Sequence, residues 1–98
     1  MTSPDVEIVN LPDQDSYEAR IDGVEVGRID YRRSGDAIVF LHTEVGDAYE
    51  GMGIASDLAQ RALDDARASG TKVIPQCPYI RGWIKRHPDY ADLVRGSV

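Results

Sequence analysis

The apolar residues of this chain change their spacing at two glycines, Gly51 and Gly53, halfway along its 98 residues. Before the glycines, apolar and polar residues alternate, which is typical of half-buried β-strands. After them, apolar residues recur at helical spacing over 54–66, which is typical of an amphipathic α-helix. The chain is therefore expected to fold as a set of strands followed by a helix.

The first half predicts a small antiparallel sheet. Its strand-like runs lie within 6–21, 24–31 and 37–45, the last of which is almost continuously apolar before His42, and they are separated by Asp22-Gly23 and by Ser34-Gly35-Asp36. Such turn signals between alternating runs indicate hairpins. We expect three or four antiparallel strands here.

The second half predicts two helices around a short strand. Gly70 follows the first helical run and can end that helix in the left-handed conformation. The segment KVIPQC, 72–77, is typical of a short strand that its prolines interrupt. A second amphipathic helix is expected over 79–86, because His87 precedes a proline and resists helical angles.

The order of these elements predicts the fold class. A helix connects the run 37–45 to KVIPQC, so these two strands are expected to be parallel, with a right-handed crossover. The prediction is an α+β fold with a mixed, largely antiparallel sheet and a β-α-β-α C-terminal half. We expect a single domain over 1–98, with its core at about 7–94.

The composition of the chain limits which binding partners and which cellular compartment are expected. The net charge of −6 and the pI near 4.7 argue against nucleic acid or an anionic membrane as a partner, since phosphate-rich surfaces demand clustered Lys and Arg. The lone cysteine, Cys77, excludes an internal disulfide and a multi-cysteine zinc site. The N-terminal MTSPDVEIVN has neither a basic start nor an apolar run, so we expect a cytoplasmic protein.

The glycines lie where a buried strand is expected to give way to a helix. The first N–H groups of a helix have no internal partner, and the helix dipole favours negative charge there. Such a loop could hold a pyrophosphate, or it could simply form a tight turn. A Walker loop is excluded because Ala55 and Ser56 follow the last glycine, and the dinucleotide fingerprint is excluded because it requires glycine at position 56.

Five ordered blocks of the chain together resemble the GNAT acetyltransferase superfamily, in particular its small single-domain branch. The blocks are HTEV (42–45), YEGMGIASDL (49–58), ALDDAR (62–67), KVIPQCPY (72–79) and HPDYADLV (87–94). Within them, EGMGIA resembles the acyl-coenzyme A loop pattern Arg/Gln-x-x-Gly-x-Gly/Ala. The resemblance extends from about Glu7 to Val94. It implies a minimal GNAT fold that uses acetyl-coenzyme A as a co-substrate and needs no metal.

The resemblance also implies where the cofactor binds. Backbone N–H groups of residues 51–56 would hold the pyrophosphate, and the strand edge near Val45 would pair with the pantetheine arm. The implied cofactor-binding residues are Val45, Glu50, Gly51, Met52, Gly53, Ile54, Ala55 and Ser56. Glu50 occupies a position that relatives usually fill with Arg or Gln, so its carboxylate is expected to weaken binding. Ile84 occupies the position at which the superfamily often has a tyrosine general acid.

Three side chains are candidates for the chemistry. Strict alternation along 37–45 places Phe40, His42 and Glu44 on one face of the strand, and Leu41, Thr43 and Val45 on the other. An amine acceptor must lose a proton, and His42 or Glu44 could accept it. Either side chain could instead have a purely structural role.

Cys77 is the third candidate for the chemistry, at the end of the strand expected to pair with 37–45. The resemblance implies that its thiol lies near the sulfur of coenzyme A. It could carry the acetyl group or protonate the leaving thiolate, and its replacement by Ala would then abolish transfer. A small buried apolar residue is the alternative.

These observations predict an N-acetyltransferase that uses acetyl-coenzyme A. The acceptor is an unidentified amine, on a small molecule or on a protein. Two other functions stay open from the sequence. One is a module that binds acyl-coenzyme A with little transfer, and the other is a protein-interaction domain.

Overall fold

The chain forms five strands, two α-helices and short 3₁₀ turns, and the structure, a computed structural model, describes residues 5–95. The strands are β1 (Glu7–Leu11), β2 (Ser16–Ile21), β3 (Val24–Ser34), β4 (Ala37–Val45) and β5 (Lys72–Pro75), and the helices are α1 (Ile54–Ser69) and α2 (Pro78–Arg86). The strands form one sheet in the order β1-β2-β3-β4-β5, antiparallel except for the parallel pair β4–β5. The predicted α+β fold is confirmed. Within the described range, neither helix has the length and apolar character needed to span a bilayer.

Both helices pack on the same face of the sheet. Leu58 and Leu63 of α1 and Ile80 of α2 are fully buried in one core with Phe40. The two helices are also joined directly, because the indole N–H of Trp83 donates to the Ser56 hydroxyl oxygen at 2.9 Å. In the part of the chain that the structure describes, no helix covers the other face, which we call the open face.

A β-bulge at Leu41 interrupts the pairing of β3 with β4. Tyr31 pairs with Phe40, whereas Asp30, the residue just before Tyr31, pairs with His42. Leu41 is therefore an extra residue in β4 without a partner on β3. An extra residue in one strand reverses the faces of the residues that follow it.

The bulge corrects the predicted alternation of β4. Phe40 is buried on the helix side, and beyond the bulge Thr43 and Val45 lie on that side too, whereas His42 and Glu44 lie on the open face. The prediction that Phe40, His42 and Glu44 share a face is wrong, because strict period-two counting does not allow for the extra residue. The bulge thus places the two candidate bases, His42 and Glu44, on the face of β4 opposite to Thr43 and Val45.

The parallel pairing of β4 with β5 ends early. Its last pair is Phe40 with Pro75, and the Cys77 N–H then donates to the Phe40 carbonyl oxygen at 2.8 Å. Pro75 has no N–H to donate, and Pro78 begins α2, so β5 cannot continue alongside β4. The predicted strand KVIPQC consequently ends at Pro75, and within residues 5–95 no strand pairs with this edge of β4 at 41–45.

Gly27 on β3 allows three elements to meet beneath the end of β4. A Cβ at this position would lie 3.2 Å from the Glu44 carbonyl oxygen, 3.2 Å from the Val45 side chain and 3.3 Å from the Ile54 side chain. These contacts are closer than ordinary van der Waals packing. A side chain here would force these neighbours to move by a few tenths of an ångström, so glycine lets α1 begin close to the end of β4.

We predict that Gly27→Ala destabilises the fold by about 1–3 kcal/mol, because overpacking forces neighbouring backbone to move. The matched control is Gly82→Ala in α2, where an added Cβ would meet only the mobile end of Arg86 at 3.4 Å. That control should be stabilised by about 0.5–1 kcal/mol through lower chain entropy. Urea unfolding measures both variants, and equal free energies of unfolding for the two would contradict this account of Gly27.

Candidate functional site

The loop between β4 and α1 places two glycines in the left-handed region. Gly51 has φ 85° and Gly53 has φ 79°, and a Cβ added at either position would meet nothing within 4 Å. The backbone angle, rather than a lack of space, therefore requires glycine at both positions. The open space around these glycines leaves the backbone accessible to a ligand.

The start of α1 presents a row of N–H groups without protein partners. The first bond of the helix runs from the Asp57 N–H to the Gly53 carbonyl oxygen at 3.0 Å, and no side chain caps this end. Among the described residues, five neighbouring N–H groups donate to no protein acceptor, namely those of Gly51, Gly53, Ile54, Ala55 and Ser56. Together with the dipole of a 16-residue helix, this donor set fits a pyrophosphate.

A cavity of about 400 Å³ connects this helix start to the end of β4. Its lining residues are Thr43, Glu44, Val45, Tyr49, Glu50, Gly51, Gly53, Ile54, Ala55, Ser56 and Tyr79. Seven of the eight predicted cofactor-binding residues are among them. The exception is Met52, whose N–H donates to the Tyr49 carbonyl oxygen and whose side chain is exposed.

The free edge of β4 runs into the same cavity. The Gly46 N–H donates to the Val26 carbonyl oxygen on β3 at 2.9 Å, so the N–H of Val45, the preceding residue, points the other way. The backbone groups of Thr43 point in the same direction as those of Val45. An extended ligand chain in the gap left by β5 could therefore pair with β4 as a neighbouring strand would.

The three predicted catalytic residues do not share one environment. Glu44 lines the cavity, and its carboxylate Oε2 accepts a hydrogen bond from the His42 ring Nε2 at 3.2 Å. Both side chains are exposed on the open face. Cys77 is 2% exposed at the start of α2, and its Sγ lies 3.2 Å from the Thr43 hydroxyl oxygen. The thiol lies in the core beside Thr43 and is not part of the cavity wall.

Tyr79 is a cavity residue that the sequence analysis does not identify. It lies in the first turn of α2, and burial raises the pKa of its phenol, so the hydroxyl keeps its proton at neutral pH. Ile84, the position at which relatives often have a tyrosine, is buried in the core. The signal that could have found Tyr79 is its place one residue after Pro78, a proline typical of a first helical turn.

Glu50 is the acidic exception in this donor-rich loop. Its side chain is exposed and, in the described part of the chain, it makes no ion pair with a basic residue. A carboxylate at this position repels a bound anion, and salt screens the repulsion that acts through solvent. The backbone N–H groups fit a pyrophosphate, whereas the negative charge of the Glu50 side chain disfavours its binding.

The comparisons with known proteins agree with this geometry. Residues 16–93 match the model of a family described as GCN5-related N-acetyl-transferase. Protein NATD1 of Homo sapiens is 46% identical over 59 residues, which make up 59% of this chain and 52% of NATD1. The chain thus spans about half the length of this relative. The resemblance stated from the sequence blocks is confirmed.

Two solved structures share the fold. A GCN5-like protein from Staphylococcus aureus aligns with a TM-score of 0.73 at 22% identity, covering 94% of this chain and 90% of that chain. Naa50 of Arabidopsis thaliana, in complex with the bisubstrate analogue CoA-Ac-MVNAL, aligns with a TM-score of 0.50 at 21% identity, covering 79% of this chain and 56% of that chain. At these identities the likeness concerns the fold alone.

Proposed function

The chain belongs to the GCN5-related N-acetyltransferase family, and from that premise we propose that it transfers acetyl from acetyl-coenzyme A to an amine. The observation that carries the proposal is the row of unpartnered N–H groups at the start of α1, in a cavity that reaches the free edge of β4. A bound phosphate would satisfy several of these donors at once, and the helix dipole would favour its negative charge.

Binding would use backbone groups almost entirely. The N–H groups at 51 and 53–56 would hold the pyrophosphate, and the edge of β4 at Thr43 and Val45 would pair with the pantetheine arm. The Naa50 complex, with its coenzyme A analogue, supports the choice of ligand for a protein of this fold. The amine acceptor would approach from the open face, where Glu44 and His42 lie.

The proposed steps of acetyl transfer follow from the side chains and backbone groups around the gap between β4 and β5. Acetyl-coenzyme A supplies a thioester, whose carbon–sulfur bond breaks as the bond from the amine nitrogen to the acetyl carbon forms. Glu44 takes the proton of the amine, directly or through a water, and His42 orients that carboxylate. Tyr79 donates a proton to the departing sulfur, and a backbone N–H near Val45 stabilises negative charge on the carbonyl oxygen.

The environment of Cys77 favours direct attack by the amine over an acetyl-Cys77 intermediate. A nucleophilic thiol needs a neighbouring base or cation, and the polar partner of Cys77 in the described structure is the Thr43 hydroxyl. The thiol is also almost fully buried. The covalent route stays a prediction that mass spectrometry can decide.

A module that binds acyl-coenzyme A without efficient transfer is the second candidate. The observation in its favour is Ile84, which is buried in the core where relatives often carry the tyrosine acid. A thiol-release assay across pools of small amines and peptides separates the two, because only an enzyme releases coenzyme A in an acceptor-dependent manner.

Calorimetry with acetyl-coenzyme A tests both ligand-based functions together. Saturable binding is expected, with chemical shift changes at 51–56 and Val45 in NMR spectra. Absence of binding at millimolar acetyl-coenzyme A would overturn both functions and favour a protein-interaction domain.

We predict that Glu50→Gln tightens the binding of acetyl-coenzyme A about two- to fivefold at low salt, since two like charges several ångströms apart in water repel each other by about 0.5–1 kcal/mol. The control is Glu7→Gln on β1, at the opposite edge of the sheet. Calorimetry of both variants at low and high salt is the measurement. An equal gain in the two variants would assign the effect to net charge alone.

We predict that Tyr79→Phe lowers the rate of coenzyme A release by about 100-fold or more, which is the range for loss of a general acid. The affinity for acetyl-coenzyme A should change little, because the ring remains. Tyr90→Phe is the matched control, since its hydroxyl donates to Asp64 at 2.7 Å on the outer side of α1. Full activity of the Tyr79 variant would remove this hydroxyl from the mechanism.

We predict that Cys77→Ala retains both acetyl-coenzyme A binding and acceptor-dependent turnover, because direct attack needs no thiol. Mass spectrometry of the wild-type protein after incubation with acetyl-coenzyme A should show no acetyl group on Cys77. An acetylated Cys77 together with an inactive Ala variant would establish the covalent route instead.

A further inference from the structure

A second cavity, of about 390 Å³, lies between the C-terminal half of α1 and the sheet. Its lining residues are Asn10, Tyr17, Arg33, Ile38, Ala62, Asp65, Ala66, Ala68, Ser69 and Thr71. None of them lines the cavity at the glycine loop. That cavity lies at the N-terminal end of α1. Its volume is within the range of small-molecule sites.

The side-chain acceptors around this cavity are already engaged. The amide oxygen of Asn10 accepts a hydrogen bond from the Tyr31 hydroxyl at 2.9 Å. The carboxylate of Asp65 accepts one from the Tyr17 hydroxyl at 2.9 Å and is paired with Arg61 at 3.1 Å. A ligand therefore finds the carboxylate of the cavity neutralised and its amide oxygen occupied.

Two donor groups of the same cavity, the Arg33 guanidinium and the Asn10 amide nitrogen, have no acidic partner among the described residues. Within residues 5–95, Arg33 makes no ion pair, and its guanidinium lies 5.8 Å from the centre of the Tyr31 ring. The amide nitrogen of Asn10 likewise has no hydrogen-bond acceptor in the described structure, although the Tyr31 hydroxyl fixes the orientation of this amide. A guanidinium and an amide nitrogen at one cavity present only hydrogen-bond donors, and the guanidinium is positively charged.

Small apolar side chains shape the rest of the cavity. Ala62 and Ala66 of α1 face Ile38 of β4 across it, and all three side chains are buried. Leucine occurs at neighbouring core positions of α1, such as Leu58 and Leu63, so the two alanines leave room that larger residues would fill. The cavity thus combines an apolar floor with a donor-rich rim.

We propose that this cavity is a binding site for a small organic carboxylate. The planar guanidinium of Arg33 would hold the carboxylate through two hydrogen bonds, and the Asn10 amide nitrogen would donate a third. The apolar body of the ligand would lie against Ala62 and Ala66. The site is separate from the glycine loop and does not depend on acetyl transfer.

NMR titration of the full chain with benzoate tests the proposal. We expect saturable, millimolar binding that shifts the Asn10 side-chain amide and the backbone signals of Ala66 and Ser69. Signals of residues 51–56 should not move, which distinguishes this site from the cofactor site. Benzamide, which has the same shape without the charge, should not bind in the same range.

Two variants and a matched control test which residues bind benzoate. Arg33→Gln should weaken benzoate binding roughly tenfold or more, because charge-assisted hydrogen bonds are lost. Arg32→Gln removes the same charge from the neighbouring residue, which pairs with Val39 and points to the open face, and it should leave binding unchanged. Ala66→Leu should fill the cavity and block binding, with thermal unfolding as a check on its fold. The proposal would be overturned if the Arg33 and Arg32 variants bound benzoate equally well. It would also be overturned if the chemical shift changes did not saturate with benzoate.

Discussion

The early end of the pairing between β4 and β5 is the constraint on which the candidate site depends. Pro75 cannot donate to a neighbouring strand, and the hydrogen bond from the Cys77 N–H to the Phe40 carbonyl oxygen directs the chain into α2. Beyond Phe40, β4 continues to Val45 with an edge that no described strand pairs with. The gap exists because two prolines stop β5, so the site follows from local backbone chemistry rather than from any catalytic side chain.

The bulge at Leu41 determines what each side of that gap contains. With it, Thr43 and Val45 lie on the helix side, near the free N–H groups of α1, whereas His42 and Glu44 lie on the open face. Without the bulge, the residues beyond position 41 would exchange faces, and the candidate bases would point at the helices. One extra residue therefore puts the proposed cofactor side and acceptor side on opposite faces of the same strand.

Much of this architecture could be predicted from the sequence, because it depends on periodicity and on glycine and proline. The four antiparallel strands, the crossover helix and the short parallel strand all have such signals, and the two glycines indicated the left-handed loop. The bulge could not be predicted, since AIVFLHTEV is almost continuously apolar up to Leu41 and carries no signal for an extra residue, which becomes visible only through the pairing with β3. The burial of Cys77 and the position of Tyr79 depend on how α2 docks, which is a tertiary effect.

The acidic character of the chain is compatible with an anionic ligand, because the backbone donors and the acidic side chains act on a bound ligand at different distances. Backbone N–H groups and the helix dipole act within hydrogen-bond range, where little water intervenes. The carboxylate of Glu50 is exposed and acts through solvent, where its effect is screened by salt. A net charge of −6 therefore reduces the rate and strength of association without removing the site. The proposed binding depends on where the donors of α1 point, and the close packing at Gly27 and the left-handed angles of Gly51 and Gly53 set that direction.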